Sequence, residues 1–369
     1  MTRDRSPGMP RLAWIAPLLA VAFYGGATAL GFTAHLAPGP VGIGLALLLF
    51  PVLFGAVFAA VHHAEVIAHR VGEPYGTLIL TAAVTIIEVA LIASVMLSGD
   101  ANAATLARDT VYAVVMTVGT GLIGLCILIG GLRYREPRFR VAGAGTYLTV
   151  LIVLATLTLV LPNFTEKAPG PTYAPTQLAF VAAVTLLLYG AFLYIQTVRH
   201  RAYFITPATV PDRDVLPPPR HLTMSGGLLL VALAAVVLLS KKFAVVVELG
   251  RLAVGAPPQV TGLFVAILVL LPEAIAAIAA ARNDALQTSL NLALGSALAT
   301  IGMTFPAAAI VALSLGQPLV LGLEPSGMVL LALTMLVSTL TFATGRTHVL
   351  HGLVHLVIFA TFLFLAFQP

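Results

Sequence analysis

Runs of about 20 apolar residues, separated by short polar segments, recur eleven times along this chain, near 12–33, 41–61, 75–98, 110–131, 141–161, 176–198, 222–240, 258–281, 286–305, 326–343 and 347–367. A helix rises 1.5 Å per residue, so about 20 residues cross a hydrocarbon layer of ~30 Å. Each run therefore predicts a transmembrane helix. Amphipathic sequence continues past the second and seventh runs, which predicts two longer, tilted helices reaching about Arg70 and Val254. Between the sixth and seventh runs lies a polar segment, 199–221, containing Pro207, Pro211, Pro217, Pro218 and Pro219. Its composition predicts a linker.

The segments on either side of that linker repeat one another. His63-Ala-Glu65-Val-Ile-Ala-His69-Arg70-Val71-Gly72-Glu-Pro74 aligns with Val246-Val-Glu248-Leu-Gly-Arg251-Leu-Ala-Val254-Gly255-Ala-Pro257 at an offset of 183 residues. The central glutamates Glu88 and Glu273 follow at an offset of 185, after a two-residue insertion. Five spans per half is an odd number, so the second copy must be inverted in the membrane, a construction that recurs in secondary transporters. The predicted fold is an all-α polytopic membrane protein of about eleven transmembrane helices. It comprises an N-terminal tail and extra helix (1–40), a first five-helix repeat (41–198), the linker (199–221) and an inverted second repeat (222–369).

Composition removes the soluble alternatives. Hydrophobic residues make up 59% of the chain and charged residues 9%, with a mean hydropathy of +1.03, whereas soluble domains carry about 25% charged residues. The single Cys126 lies in an apolar run and offers neither a disulfide framework nor a thiolate metal site. The first apolar run is too long for a signal-peptide core, so we expect it to be a retained helix. With the N-terminus placed in the cytoplasm, fourteen Lys and Arg fall on the inner side and five on the outer. This bias predicts an N-terminus inside and a C-terminus outside a bacterial plasma membrane. Topology thus accounts for the net charge of +5. The expected partners are membrane lipid, inorganic cations and protons, with no nucleic acid.

The chemistry is carried by Glu88 and Glu273. An acidic side chain at the centre of a span costs about 2.5–3.5 kcal/mol by insertion scales, so such groups normally face a cavity, a partner or an ion path. Thr81, Thr85 and Glu88 share a helix face at spacings of four and three. In the second copy, Pro272 withholds an N–H from the turn before Glu273 and releases the Leu268 carbonyl. The spans that follow supply Thr117 and Thr120 in one half, and Asn291 and Ser296 in the other. Carboxylate, hydroxyl, amide and carbonyl oxygens form a hard-ligand set suited to Ca²⁺, Na⁺ or K⁺. Two carboxylates sharing a buried site cannot both stay ionised without a cation. Protons and metal ions then compete for the same oxygens, and competition with alternating access gives antiport. The transported ions are cargo, and no cofactor is expected.

Glu65 and Glu248 fall near opposite membrane surfaces in this topology, as gate or access-path residues or as interfacial carboxylates. His62, His63 and His69 form one group near a predicted cytoplasmic edge, and His348, His351 and His355 share a face of the last span. If the two groups meet, they allow a second reading, an intramembrane metal-dependent hydrolase. No H-E-x-x-H motif accompanies them, and a structural or interfacial role is the reading we place first.

At Glu65-Val-Ile-Ala-His-Arg70-Val-Gly72-Glu-Pro-Tyr-Gly76, Val84-Thr85-Ile-Ile-Glu88-Val-Ala-Leu-Ile and Leu271-Pro272-Glu273-Ala-Ile-Ala-Ala, running on to Leu294-Gly295-Ser296, the chain resembles the calcium/proton exchangers of the cation/Ca²⁺ exchanger superfamily. The likeness is to their ChaA-type bacterial members and covers nearly all of 41–367. It implies an eleven-helix antiporter of Ca²⁺, Na⁺ or K⁺ against protons, not an enzyme. Glu88 and Glu273 would be its acidic cation ligands, and the long second and seventh helices would slide against the core. Calcium-selective relatives carry Gly-Asn-Ala before each glutamate, where this chain has Val84-Thr85-Ile86 and Val269-Leu270-Leu271. Fewer neutral oxygen ligands imply a less Ca²⁺-exclusive site. The linker holds only Asp212 and Asp214 as acids, so the acidic regulatory helix of many relatives is not expected.

Overall fold

A computed structural model describes residues 11–32, 39–71, 75–96, 103–204 and 219–368 of the chain. These residues form eleven helices in chain order. They are α1 (Arg11–Ala29), α2 (Gly39–Val71), α3 (Tyr75–Met96) and α4, built from Ala103–Met116, a π turn Thr117–Leu122 and Ile123–Tyr134. Next come α5 (Val141–Phe164), α6 (Pro175–Arg199), α7 (Pro219–Ala253), α8 (Gln259–Arg282), α9 (Leu286–Leu315, with a π turn at Thr300–Thr304), α10 (Pro325–Phe342) and α11 (Val349–Phe367). Ten of the eleven are long and apolar enough to cross a membrane. The remaining helix, α3, is 22 residues long and carries Glu88 as its only charged group. The protein is an all-helical, multi-pass membrane protein.

Both expected long helices are present, at 33 residues for α2 and 35 for α7. Each is about 50 Å in length, well beyond the hydrocarbon thickness. Most of the predicted linker, together with Gly72, Glu73 and Pro74 of the repeat motif, lies outside the described residues.

The helices gather into two compact units that cut across the sequence halves. One takes residues 1–98 and 211–252, hence α1–α3 and α7, and the other takes 99–210 and 253–369, hence α4–α6 and α8–α11. In the first unit α1 and α3 both pack on α2, and buried polar side chains hold α1 at both ends. Pro17 inside α1 lacks the N–H that would bond the Ala13 carbonyl. His63 of α2 fills that place, its Nε2 lying 2.9 Å from the Ala13 oxygen, while its Nδ1 lies 3.3 Å from Ser225 Oγ of α7. The carbonyl can only accept, so Nε2 carries the proton and Ser225 donates to Nδ1. At the far end, Lys242 of α7 donates to the Phe32 carbonyl and sits over the rings of Tyr24 and Phe32, at 5.1 and 4.8 Å from their centroids. Both cation–π geometries lie within the ~6 Å range that gives attraction.

In the second unit α4 is the central element. Its spanning window is 78% buried, against 28% for α11, because α8, α9, α10 and α11 all pack on it. The α4–α8 crossing depends on Gly262, where a Cβ would lie 2.7 Å from the Asp109 carbonyl carbon and 2.8 Å from the Thr110 nitrogen. Small residues at helix interfaces allow such backbone approach in membranes. Gly145 on α5 has nothing within 4 Å of the same position. We predict that Gly262→Ala destabilises the protein by about 1–3 kcal/mol through overpacking. Gly145→Ala should leave the thermal midpoint in detergent unchanged or slightly raised, and comparison of the two unfolding curves is the check.

Candidate cation and proton site

Each central glutamate lies within a continuous helix. In the first unit Glu88 is 1% exposed on α3, and Thr85, one turn earlier on the same face, is 8% exposed. The Thr81 side chain lies outside the described residues. In the second unit Glu273 is half-buried on α8, directly after the buried Pro272. The helix runs through that proline without a break, so the Leu268 carbonyl has lost its normal amide partner inside a buried turn.

α8 packs against α9 and against the π turn of α4. That turn carries two of the expected hydroxyls. Thr117 Oγ1 is buried with no hydrogen-bond partner among the described residues, while Thr120 Oγ1 donates to the Met116 carbonyl at 2.5 Å. Ser296 lies half-buried on α9, and its carbonyl accepts from the Thr300 N–H at the start of the π turn of α9. Glu273, Thr117, Thr120 and Ser296 are therefore carried by three mutually packed helices of one unit, and Glu88 and Thr85 by the other.

Of the four π turns among the described residues, those at Thr117–Leu122 and Thr300–Thr304 are repeat-related, a point not drawn from the sequence. Thr117-Val-Gly119 and Thr300-Ile-Gly302 stand 183 residues apart, the offset already set by Glu65 and Glu248. π turns insert one residue into a helix and are frequent at functional sites. The shared T-x-G was the available signal, although helical periodicity alone does not distinguish a π turn from an α turn.

The family model described as sodium/calcium exchanger protein matches residues 41–198 and 224–368. The chain belongs to this family. The exchanger is 46% identical over 371 residues to a putative ionic transporter, y4hA, of Sinorhizobium fredii, covering 99% of this chain and 98% of that one. It is 37% identical over 333 residues to the sodium-potassium/proton antiporter ChaA of Escherichia coli, covering 89% and 90%. Its fold matches the structure of native YfkE with a TM-score of 0.74 over 97% of this chain and 100% of that chain, at 16% identity. Within the family it groups with the calcium/proton-exchanger antiporters of the ChaA type.

Other residues singled out in the exchanger's sequence have partners of their own. Glu65 is exposed on α2. Glu248 on α7 is held by Arg251, whose Nε lies 2.9 Å from Oε2 and whose second nitrogen contacts Oε1. Asn291 on α9 accepts from Gln287 Nε2 at 2.9 Å and donates to the Phe204 carbonyl at 2.5 Å. Gln287 in turn accepts from the Arg140 backbone N–H at 2.6 Å. This network ties α9 to the start of α5 and to the turn after α6, so both ends of the Asn291 amide serve packing.

Within each unit, the described histidines form no centre of the kind that the hydrolase reading requires. Among the described residues no group of three His, Cys, Asp or Glu side chains is arranged to hold a metal. His63 bonds Ala13 and Ser225, and His355 bonds Gly119 and Thr341, so each ring spends both nitrogens on a structural contact. His348 and His351 stack with centroids 4.1 Å apart. The His69 side chain lies outside the described residues.

The second unit also contains a cavity of about 70 Å³ lined by Arg108, Asp109, Tyr112, Gln259, Glu324 and Ser326 among others. The buried pair Arg108–Asp109 closes at 2.8 Å, and Arg108 Nη1 reaches the Gly322 carbonyl at 3.3 Å. Gln259 and Glu273 are fourteen residues apart on α8, about 21 Å along the axis, so this cavity is separate from the Glu273 turn. We expect Asn291→Ala to lower the thermal midpoint and to speed proteolytic cleavage near Phe204. A map of limited-proteolysis fragments would show it, with unchanged cleavage as the contrary result.

Proposed function

We propose that the exchanger is a secondary-active antiporter exporting Ca²⁺, Na⁺ or K⁺ in return for protons, by alternating access to one site at the membrane midplane. The observation that carries this reading is the repeated glutamate. Glu88 is almost fully buried in one unit, and Glu273 follows a proline-disturbed, buried turn in the other. Such groups persist inside a bilayer where function requires them. In this reading, inverted halves at 41–198 and 222–369 each contribute one carboxylate. Thr85, Thr117, Thr120, Ser296 and the Leu268 carbonyl add neutral oxygens, while Glu65 and Glu248 line the access paths. The ions are cargo, and the protein is a transporter rather than an enzyme.

Exchange follows from charge balance. With both glutamates ionised and no cation present, the site holds two close negative charges in a medium of low dielectric, which is strongly unfavourable. Two protons, one divalent cation or two monovalent cations would neutralise it, and they compete for the same oxygens. An occupied site is near neutral and can change the side it faces, whereas an empty ionised site resists moving. The resemblance to a sodium-potassium/proton antiporter supports monovalent cargo, and the hard oxygen set accommodates Ca²⁺ as well. The basic-residue bias supports a bacterial plasma-membrane location with a cytoplasmic N-terminus and an external C-terminus.

The test uses inverted membrane vesicles energised to an acid interior and followed with a pH-sensitive dye. Adding Ca²⁺, Na⁺ or K⁺ should dissipate the gradient in vesicles containing the wild-type protein. Glu88→Gln and Glu273→Gln should each reduce the response to that of empty-vector vesicles. Pro272→Ala, which restores an amide to the Leu268 carbonyl, should raise the half-saturating cation concentration several-fold. Undiminished exchange in both glutamine variants would refute the proposal.

A further inference from the structure

The π turn of α4 is held from outside by a helix of the opposite sequence half. α11 lies along α4 on a seam of glycines. A Cβ at Gly124 would lie 2.9 Å from His355 Cβ, one at Gly131 would lie 2.9 Å from the Val349 nitrogen, and one at Gly352 would lie 2.7 Å from the Leu128 nitrogen. At the centre of this seam His355 is fully buried. Its Nδ1 lies 2.9 Å from the Gly119 carbonyl oxygen, and its Nε2 lies 3.1 Å from Thr341 Oγ1 on α10. Since the carbonyl only accepts, Nδ1 donates and Thr341 donates to Nε2, which fixes the neutral tautomer.

The position of Gly119 gives that bond its significance. In an unbroken α-helix the Ile123 N–H would bond the carbonyl four residues earlier, which is Gly119. Here the Ile123 N–H reaches Val118 and Thr120 instead. The π geometry thus passes over the Gly119 carbonyl, and the imidazole takes the place of the bypassed amide. Gly119 stands between Thr117 and Thr120. Reversion of the π turn to α would rotate the residues before it by about 100° about the axis, turning the Thr117 hydroxyl to another face. The other half shows a matching clasp, since a Cβ at Gly302 would overlap the Tyr189 side chain of α6 at 2.3 Å. In each case the last helix of one half covers the repeat-related π turn of the other.

We propose that His355 is a positioning residue for ion binding: by donating to the Gly119 carbonyl it holds α4 in the π register that presents the Thr117 hydroxyl to the transported cation. This rests on the reading of Thr117 as a neutral ligand of the paired-glutamate site. The imidazole contributes no ligand itself, and its effect falls on cation affinity rather than on the rate of the transport cycle.

Two near-isosteric replacements separate this from a general packing role. Asparagine places its NH₂ where Nδ1 stands, and glutamine places its own where Nε2 stands. In full-length protein reconstituted into proteoliposomes, His355→Gln should raise the half-saturating Na⁺ or Ca²⁺ concentration by about three- to tenfold, the scale of one lost hydrogen bond, with maximal rate retained. His355→Asn should restore most of the affinity. Equal half-saturation for the two variants, or no change in either, would overturn the proposal. His355→Leu is expected to follow glutamine, but the Asn/Gln contrast decides the matter even if the leucine variant does not fold. Glu88→Gln and Glu273→Gln are measured in the same liposomes. If they retain exchange, the paired-glutamate reading fails; if they abolish it while Asn and Gln behave alike, only the role of His355 fails.

Discussion

Inside a bilayer a backbone carbonyl released from its own helix must be satisfied by something else, because lipid offers no donor. Much of this exchanger is organised around that requirement. Pro17 releases the Ala13 carbonyl, and the imidazole of His63 takes it. The π turn of α4 passes over the Gly119 carbonyl, and the imidazole of His355 takes that one. Both histidines lie fully buried, and each uses its second nitrogen on a hydroxyl from a neighbouring helix. Pro272 produces a third released carbonyl beside Glu273. In the proposed mechanism, its complement is the cation.

The same requirement accounts for the buried histidines, for which the sequence allowed a structural role as well as a metal centre. Clusters at 62–69 and 348–355 have the composition of a metal centre, but in the fold His63 and His355 act as neutral donors that repair helix irregularities. Their partners are backbone atoms of Ala13 and Gly119, residues whose side chains say nothing of the role. A proline four residues beyond a carbonyl is visible in sequence. Which side chain will serve that carbonyl depends on packing.

What was legible followed from hydrophobicity and repetition. All eleven helices, including the extended second and seventh, could be read directly, and every start but that of α4 lies within three residues of its predicted position, since the bilayer imposes a length and polarity on every crossing. The glutamate pair was visible because a charge in such a span is conspicuous. The partition into units was not legible. Repeat logic groups α2–α6 against α7–α11, whereas the compact units place α7 with α1–α3. Asn291 read as a ligand from its composition, yet its amide ties α9 to the turn at Phe204. An amide oxygen looks the same in sequence whether it faces an ion or a backbone N–H.

Lys242 gives the first helix a significance beyond its modest packing. At the repeat offset the equivalent position in α2 is the buried Ala59, so the lysine breaks the internal symmetry on the side that receives α1. Its amino group lies among two aromatic rings and the Phe32 carbonyl, all supplied by the end of α1 and the residues just after it. Trimming the chain back to its symmetrical ten-helix portion would therefore leave this amine without its carbonyl and ring partners. The additional helix is built into the energetics of the repeat that it accompanies.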